Sequence, residues 1–202
     1  KIFKKDFTTT SSMITQRFNT NPVWRNNWPS NHYMFGIFQL LEYLESRINF
    51  TAHTEMIEVG SYMGESTMMF ASVNLFDKIH AIEPFKGEEE FNKLFGYNWD
   101  SIKNEYLTNT RYWDNILLWE DYSYNVVDEF EDNSIDFIYI DGSHEYEDTK
   151  KDIELYLPKI KPNGYIAGHD YMEHFQGCID AVQETIGEPD KIFRDFSWIK
   201  KI

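Results

Sequence analysis

The sequence predicts an α/β domain, a doubly wound and mostly parallel sheet with helices on both faces and a C-terminal antiparallel hairpin. Three observations carry the prediction. From Met56 onward, short apolar runs alternate with longer segments of helical spacing. The strongest run, Asp136-Phe137-Ile138-Tyr139-Ile140, is continuously apolar after its first residue, as a strand buried on both faces must be. Polar residues then gather where the runs stop, at Glu83, Asp121, Asp141, His144, His169 and Asp170. In open parallel sheets, ligands bind outside the carboxyl ends of the strands.

The chain divides into an N-terminal arm and helix over residues 1–50, expected to serve as a substrate lid, and a main domain over residues 51–202. The first 30 residues are polar and irregular, with Trp24 and Trp28 set among asparagines as an arm packed on the domain or over a site. Ser30 or Asn31 caps a helix running to about Ile48, with Phe35, Phe38, Leu41 and Leu44 on one face. Met56–Val59 is a buried strand that stops at Gly60, and Ser66–Val73 is the helix after it. Lys78–Glu83 is the second strand, halted by Pro84. Phe85–Tyr112 is aromatic-rich and helical, with Glu88-Glu89-Glu90 as a solvated face. Asn115–Trp119 is the third strand, followed by a short helix near Val126. After the strand ending at Ile140, a helix covers Tyr146–Leu157, Lys161-Pro162-Asn163-Gly164 forms a turn, and Tyr165–Ala167 is the next strand. A helix over Phe175–Ile186 turns Ile179, Val182 and Ile186 inward, and Lys191–Arg194 with Trp198–Ile202 closes the chain as a hairpin.

Composition narrows the function. With 202 residues, 42% hydrophobic and 17% aromatic, the chain builds a sizeable core and is not disordered. A formal charge of −15 repels phosphate backbones and attracts cations, so the expectation is no nucleic-acid partner. Cys178 is the single cysteine, which excludes an internal disulfide and a cysteine metal cluster and fits a reducing, cytoplasmic setting. Cys178 itself is expected to be a small buried hydrophobe. No apolar run approaches the roughly 20 residues of a membrane span, and no signal-peptide pattern is present.

The loop Gly60-Ser61-Tyr62-Met63-Gly64 joins a strand to a helix. Its glycines permit sharp turns and close approach to a ligand, and the helix start aims free N–H groups there. It is not the G-x-G-x-x-G fingerprint, so ligand loop and tight βα turn both stay open on this motif alone. Glu83, 19 residues beyond Gly64, ends the neighbouring strand, where an acid can accept ribose hydroxyls. With Glu58 the pattern is E-x-G-x-x-x-G followed by a strand-ending Glu. Here the sequence resembles the class I S-adenosylmethionine-dependent methyltransferases, over about residues 55–202. The resemblance implies a Rossmann-like sheet and S-adenosylmethionine as cofactor. Glu58, Gly60, Ser61, Tyr62 and Gly64 would surround its methionine part, with Ser66 and Thr67 opening the next helix. Glu83 would hold the ribose, and Asp121, Tyr122 and Ser123 would line the adenine, with Asp141 also at the cofactor. Tyr62 stands where many members have glycine.

Ile138–Tyr146 and Pro162–Tyr171 narrow the match, being similar to the small-molecule O-methyltransferases of the macrolide-sugar and catechol type. That similarity implies a divalent cation (Mg, Mn or another transition metal) held by Asp141, His169 and Asp170. His169 replaces a customary carboxylate, and imidazole suits transition metals better than Mg. His144 occupies the position of the catechol group's catalytic lysine, so His144, beside Asp141, is the expected general base for a small-molecule hydroxyl acceptor, sugar or phenol-like. The acceptor is expected to enter past residues 20–35, 85–100 and 171–175. Three other readings stand beside this one. A nicotinamide oxidoreductase needs the missing third glycine. A module that holds a nucleoside or metal without turnover has no use for His144 beside Asp141. A nucleic-acid methyltransferase needs a basic face and an Asn/Asp-Pro-Pro-Tyr/Phe stretch, and this chain has neither.

Overall fold

The computed structural model describes residues 32–48, 53–73, 75–86, 96 and 98–202. The N-terminal arm, Trp24, Trp28 and the Glu88-Glu89-Glu90 face therefore lie outside the described residues. So do most of the positions expected to line the acceptor entrance, and the part of the expected lid that precedes His32.

The described elements are α1 (His32–Glu45), β1 (Glu55–Val59), α2 (Glu65–Ser72), β2 (Lys78–Ile82), α3 (Trp99–Thr110), β3 (Ile116–Trp119), α4 (Ser123–Val126), β4 (Ile135–Ile140), α5 (Tyr146–Tyr156), β5 (Ile160–Gly168), α6 (Gln176–Ile186), β6 (Lys191–Ile192) and β7 (Trp198–Lys201). They form one sheet in the order β3-β2-β1-β4-β5-β7-β6. The first five strands are parallel, and β7 and β6 add an antiparallel pair. The parallel strands end level with one another: Val59 pairs with Ile82 and Ile140, Ile82 with Trp119, and Ile140 with Gly168. A flush edge places everything that follows these strands on one rim. The strand order reverses between β1 and β4, which opens a crevice at that rim.

Alternation along β4 explains its continuous apolar run. Phe137 and Tyr139 meet Leu40, Leu41, Leu44, Met69 and Phe70 of α1 and α2 on one face. Ile138 and Ile140 meet Ile153, Tyr156 and Val182 of α5 and α6 on the other. Each such side chain contributes about 1.5–3 kcal/mol on full burial, so both faces specify the register. Of the expected inward positions on α6, Val182 is buried while Ile179 and Ile186 pack at the margin. Cys178 is buried, as expected of a small hydrophobe.

Within the segment expected to be helical, α3 begins at Trp99, where Asn98 caps it by accepting the Ser101 N–H at 3.0 Å, and residues 87–95 lie outside the described residues. One element differs from its sequence-based expectation. Lys161–Gly164 is not a turn ahead of a short strand; β5 runs through it from Ile160. Pairing passes from Ile135–Ile160 directly to Phe137–Tyr165, so the intervening residues bulge out, with Asn163 left-handed at φ 70°. Turn-forming chemistry is thus present, but in the service of a bulge.

Candidate active site

The loop after β1 is shaped by its two glycines. Gly60 has φ 85°, and a Cβ there would sit 2.1 Å from the Asp141 carbonyl oxygen, so only glycine lets β1 and β4 leave the sheet this close together. Gly64, at φ 79°, closes a turn by donating its N–H to the Ser61 carbonyl at 2.7 Å and leads into α2. Tyr62 between them is itself left-handed, at φ 43°. That geometry is what a glycine would have supplied, and Tyr62 adopts it with its ring edge-on to Trp99.

Two carboxylates are built into this loop. Glu58 is wholly buried, and one oxygen accepts the hydroxyls of Ser61 and Thr67. Its other oxygen has no hydrogen-bond partner. Burial pushes the Glu58 pKa up to about 7, against the pull of nearby hydroxyls and with a further push from Asp141. Glu83 accepts the Tyr62 N–H on Oε2 and the Phe85 N–H on Oε1, both at 2.9 Å. Burial raises its pKa while those backbone donors oppose the rise. The Ser61 N–H is a third backbone donor acting on this carboxylate, which thereby pins the loop.

At the expected adenine end, the three residues take separate roles. Asp121 is exposed and caps its own turn, accepting the Tyr122 N–H at 2.8 Å and Asn125 Nδ2 at 2.9 Å. Tyr122 stacks on Tyr124 with ring centroids 5.3 Å apart. Ser123 donates its hydroxyl to Asp152 of α5. Asp152 was not expected from sequence: it is buried, and burial pushes its carboxyl up to about 6 despite the Ser123 hydroxyl. Its place beside Ile153 and one turn before Tyr156, on the apolar side of α5, was the available signal.

The β4–β5 rim brings together Asp141, His144 and Asp170, whose ligand-type atoms all lie within 4.8 Å of one another. Asp141 follows β4 directly. His144, half exposed, donates from Nε2 to Asp170 Oδ2 at 2.8 Å, and its ring stacks on Phe175 with centroids 4.6 Å apart. Asp170 is buried and left-handed at φ 61°. His169, expected beside Asp170 as a cation ligand, is not in this group. Its Nδ1 lies 3.0 Å from the opposite oxygen, Asp170 Oδ1, and its Nε2 faces inward to Asp195 Oδ2 at 4.0 Å. The two imidazoles meet opposite oxygens of Asp170, so one carboxylate stands between them.

The electrostatics follow from that sandwich. Burial alone would raise the Asp170 pKa, but hydrogen bonds from His144 and His169 hold it well below the usual carboxylate range. The Asp170 hydrogen bond raises His144, against desolvation. Burial would lower His169, yet Asp170, Asp141 and Asp195 push it up to about 9. The rim therefore presents charged groups, with a half-exposed imidazole at its open side. Of the remaining histidines, His53 and His174 are exposed. His80 is buried within the sheet, bonded to Trp119 Nε1 at 3.1 Å and Glu55 at 3.0 Å.

Comparison with known proteins places this rim in context. The family described as "Methyltransferase domain" matches residues 57–171, from β1 through the end of β5. The uncharacterized protein y4gI of Sinorhizobium fredii (strain NBRC 101917 / NGR234) is 26% identical over 127 residues, which is 57% of this chain and 13% of that protein. The chain thus spans only a small part of that relative. The O-methyltransferase NovP superposes with a TM-score of 0.64 at 19% identity, covering 86% of this chain and 84% of that one. CalS11, a TDP-rhamnose 3'-O-methyltransferase, gives 0.58 at 16% identity, covering 100% and 96%. At these identities the likeness shows the Rossmann-like fold. Among the described residues, no helix is long and apolar enough to cross a membrane.

Proposed function

Since the chain belongs to the methyltransferase-domain family, which matches more than half of it, we propose that it moves the methyl group of S-adenosylmethionine onto a hydroxyl of a small molecule. The observation that carries this reading is the convergence of Asp141, His144 and Asp170 on the rim shared with the Gly60–Gly64 loop. Glu58 to Gly64 would hold the cofactor's methionine part, with the second Glu58 oxygen as a partner for its ammonium. Glu83 would accept the ribose hydroxyls. The names of NovP and CalS11, both O-methyltransferases, favour a hydroxyl acceptor.

In the transfer, the acceptor oxygen bonds to the sulfonium methyl carbon as the carbon–sulfur bond breaks, and the hydroxyl proton must leave. His144 Nε2 is engaged with Asp170, so the proton is taken at Nδ1. Asp170 holds the ring in orientation and, with Asp141, stabilises the imidazolium that forms. Phe175 walls one face of the ring. Most of the rate comes from aligning the acceptor with the methyl group, and the buried carboxylates favour the cationic sulfonium. The test is methyl-labelled S-adenosylmethionine with a panel of sugar and phenolic hydroxyls. Labelled ether should form with wild type and not with His144→Ala. Cofactor binding with no turnover on any acceptor would favour the binding module instead.

A second reading uses the same three residues. Two carboxylates and one imidazole suit a divalent transition metal such as Mn better than Mg, with Asp141, His144 and Asp170 as the ligands in place of the set containing His169. When bound, such a cation lowers the pKa of an acceptor hydroxyl. Exhaustive chelation separates the readings: activity that is lost and then restored by Mn2+ supports the cation, and activity that persists supports the Asp170–His144 pair acting alone.

A further inference from the structure

Asp195 lies in the turn between β6 and β7, outside every motif of the proposed site, and is only 5% exposed. Its Oδ1 accepts the Ser197 N–H at 2.9 Å, an ordinary turn contact. Its Oδ2 has no hydrogen-bond partner and lies 4.0 Å from His169 Nε2. A carboxylate kept out of water with one oxygen unsatisfied is costly, and a turn cap alone does not need it, since serine or asparagine would serve. The fold nevertheless confines it. A Cβ on Gly36 of α1 would lie 1.7 Å from Asp195 Cγ, so that helix has a glycine where the carboxylate presses against it. Boxed in by α1 and its own turn, Asp195 stays directed at His169.

From there the contacts continue outward. His169 Nδ1 meets Asp170 Oδ1 at 3.0 Å, and Asp170 Oδ2 accepts His144 Nε2 at 2.8 Å. We propose that Asp195, acting through His169, is a positioning residue that fixes the Asp170 carboxylate and thereby the His144 ring. The inference rests on reading Asp141, His144 and Asp170 as the reaction end. Its logic is that of outer partners that orient a working carboxylate or imidazole. It gives His169 a role that cation binding does not: the middle member of the series, with a carboxylate on either side. The charge pattern agrees, because acids on both sides of His169 favour its imidazolium.

The test needs neither turnover nor a metal. Protein with 15N-labelled histidine is compared as wild type, Asp195→Asn, His169→Asn and the double variant, following the His144 ring-nitrogen signals. Asparagine at 195 still accepts the Ser197 N–H but turns an amide donor toward His169. Asp195→Asn should therefore shift His144 although the two residues do not touch. His169→Asn should shift it too, and the double variant should coincide with His169→Asn, because the route from Asp195 is already cut. Asp195→Ser, which keeps one acceptor and removes the buried charge, should give the same displacement and covers the case in which the asparagine variant does not fold. Unmoved His144 signals in the folded Asp195 variants, or shifts that simply add in the double variant, would overturn the proposal. S-adenosylhomocysteine affinity by calorimetry is measured alongside. It should match wild type throughout, and failure of wild type to bind would reject the functional reading while the His144 signals still decide the positioning.

Discussion

The two halves of the sheet's carboxyl rim use the same residue types in opposite ways. At the β1–β2 half, Glu58 and Glu83 are enclosed by hydroxyls and backbone N–H groups, and burial raises both pKa values. At the β4–β5 half, Asp170 is also buried, yet two imidazoles hold it well below the usual carboxylate range. Burial is common to both; the neighbours decide. One half spends its acids on holding a loop in shape for a ligand. The other keeps them charged and aimed at a half-exposed histidine. A methyl donor needs the first kind of surface, and proton removal needs the second.

The largest expected effect breaks the charged half alone. His144→Ala should lower kcat by roughly 10²–10⁴-fold on a true acceptor, with S-adenosylhomocysteine affinity nearly unchanged by calorimetry. Next comes the shaped half. Gly60→Ala meets the Asp141 carbonyl at 2.1 Å in a left-handed backbone. It should lose more than the about 1–2 kcal/mol of the backbone conformation alone, read by urea unfolding. Cofactor binding should fall with it. Glu83→Ala should weaken cofactor binding by about 1–3 kcal/mol, and calorimetry showing no change would remove Glu83 from the ribose.

The smallest effect sharpens the contrast through pH. The folded pKa of Glu58, about 7, is above its ordinary value of 4.5. The folded state therefore holds this proton more tightly than the unfolded chain. The resulting stabilisation is fully present below about pH 4.5 and is lost as pH rises through 7. Glu58→Gln should remove that part of the slope between these values in urea titrations run at a series of pH. An identical slope in the variant would show that Glu58 does not titrate there.

Much of this was legible locally. Apolar runs and their polar stops located every parallel strand, because strand burial is written into consecutive residues. The Glu58-x-Gly60 and Gly64 spacing located the shaped loop for the same reason. The grouping at β4–β5 was only partly legible. His169 and Asp170 are adjacent in sequence and do meet, at 3.0 Å, but it is His144 that joins Asp141 and Asp170 in one group, with His169 on the opposite carboxylate oxygen. Asp152 lies in a helix and Asp195 in a hairpin turn, places where an acid is ordinarily solvated. Their burial depends on α4, α1 and the sheet closing over them, contacts distant in sequence. Lys161–Gly164 had turn chemistry, and only pairing with β4 reveals a bulge.

The most direct test of the divided rim is a crystal structure with S-adenosylhomocysteine bound. The homocysteine part should lie along Gly60–Gly64, with its ammonium at Glu58 and the ribose at Glu83. The sulfur should point across the β1–β4 crevice toward Asp141, His144 and Asp170. A nucleoside seated elsewhere, or a sulfur directed away from those three residues, would contradict the account.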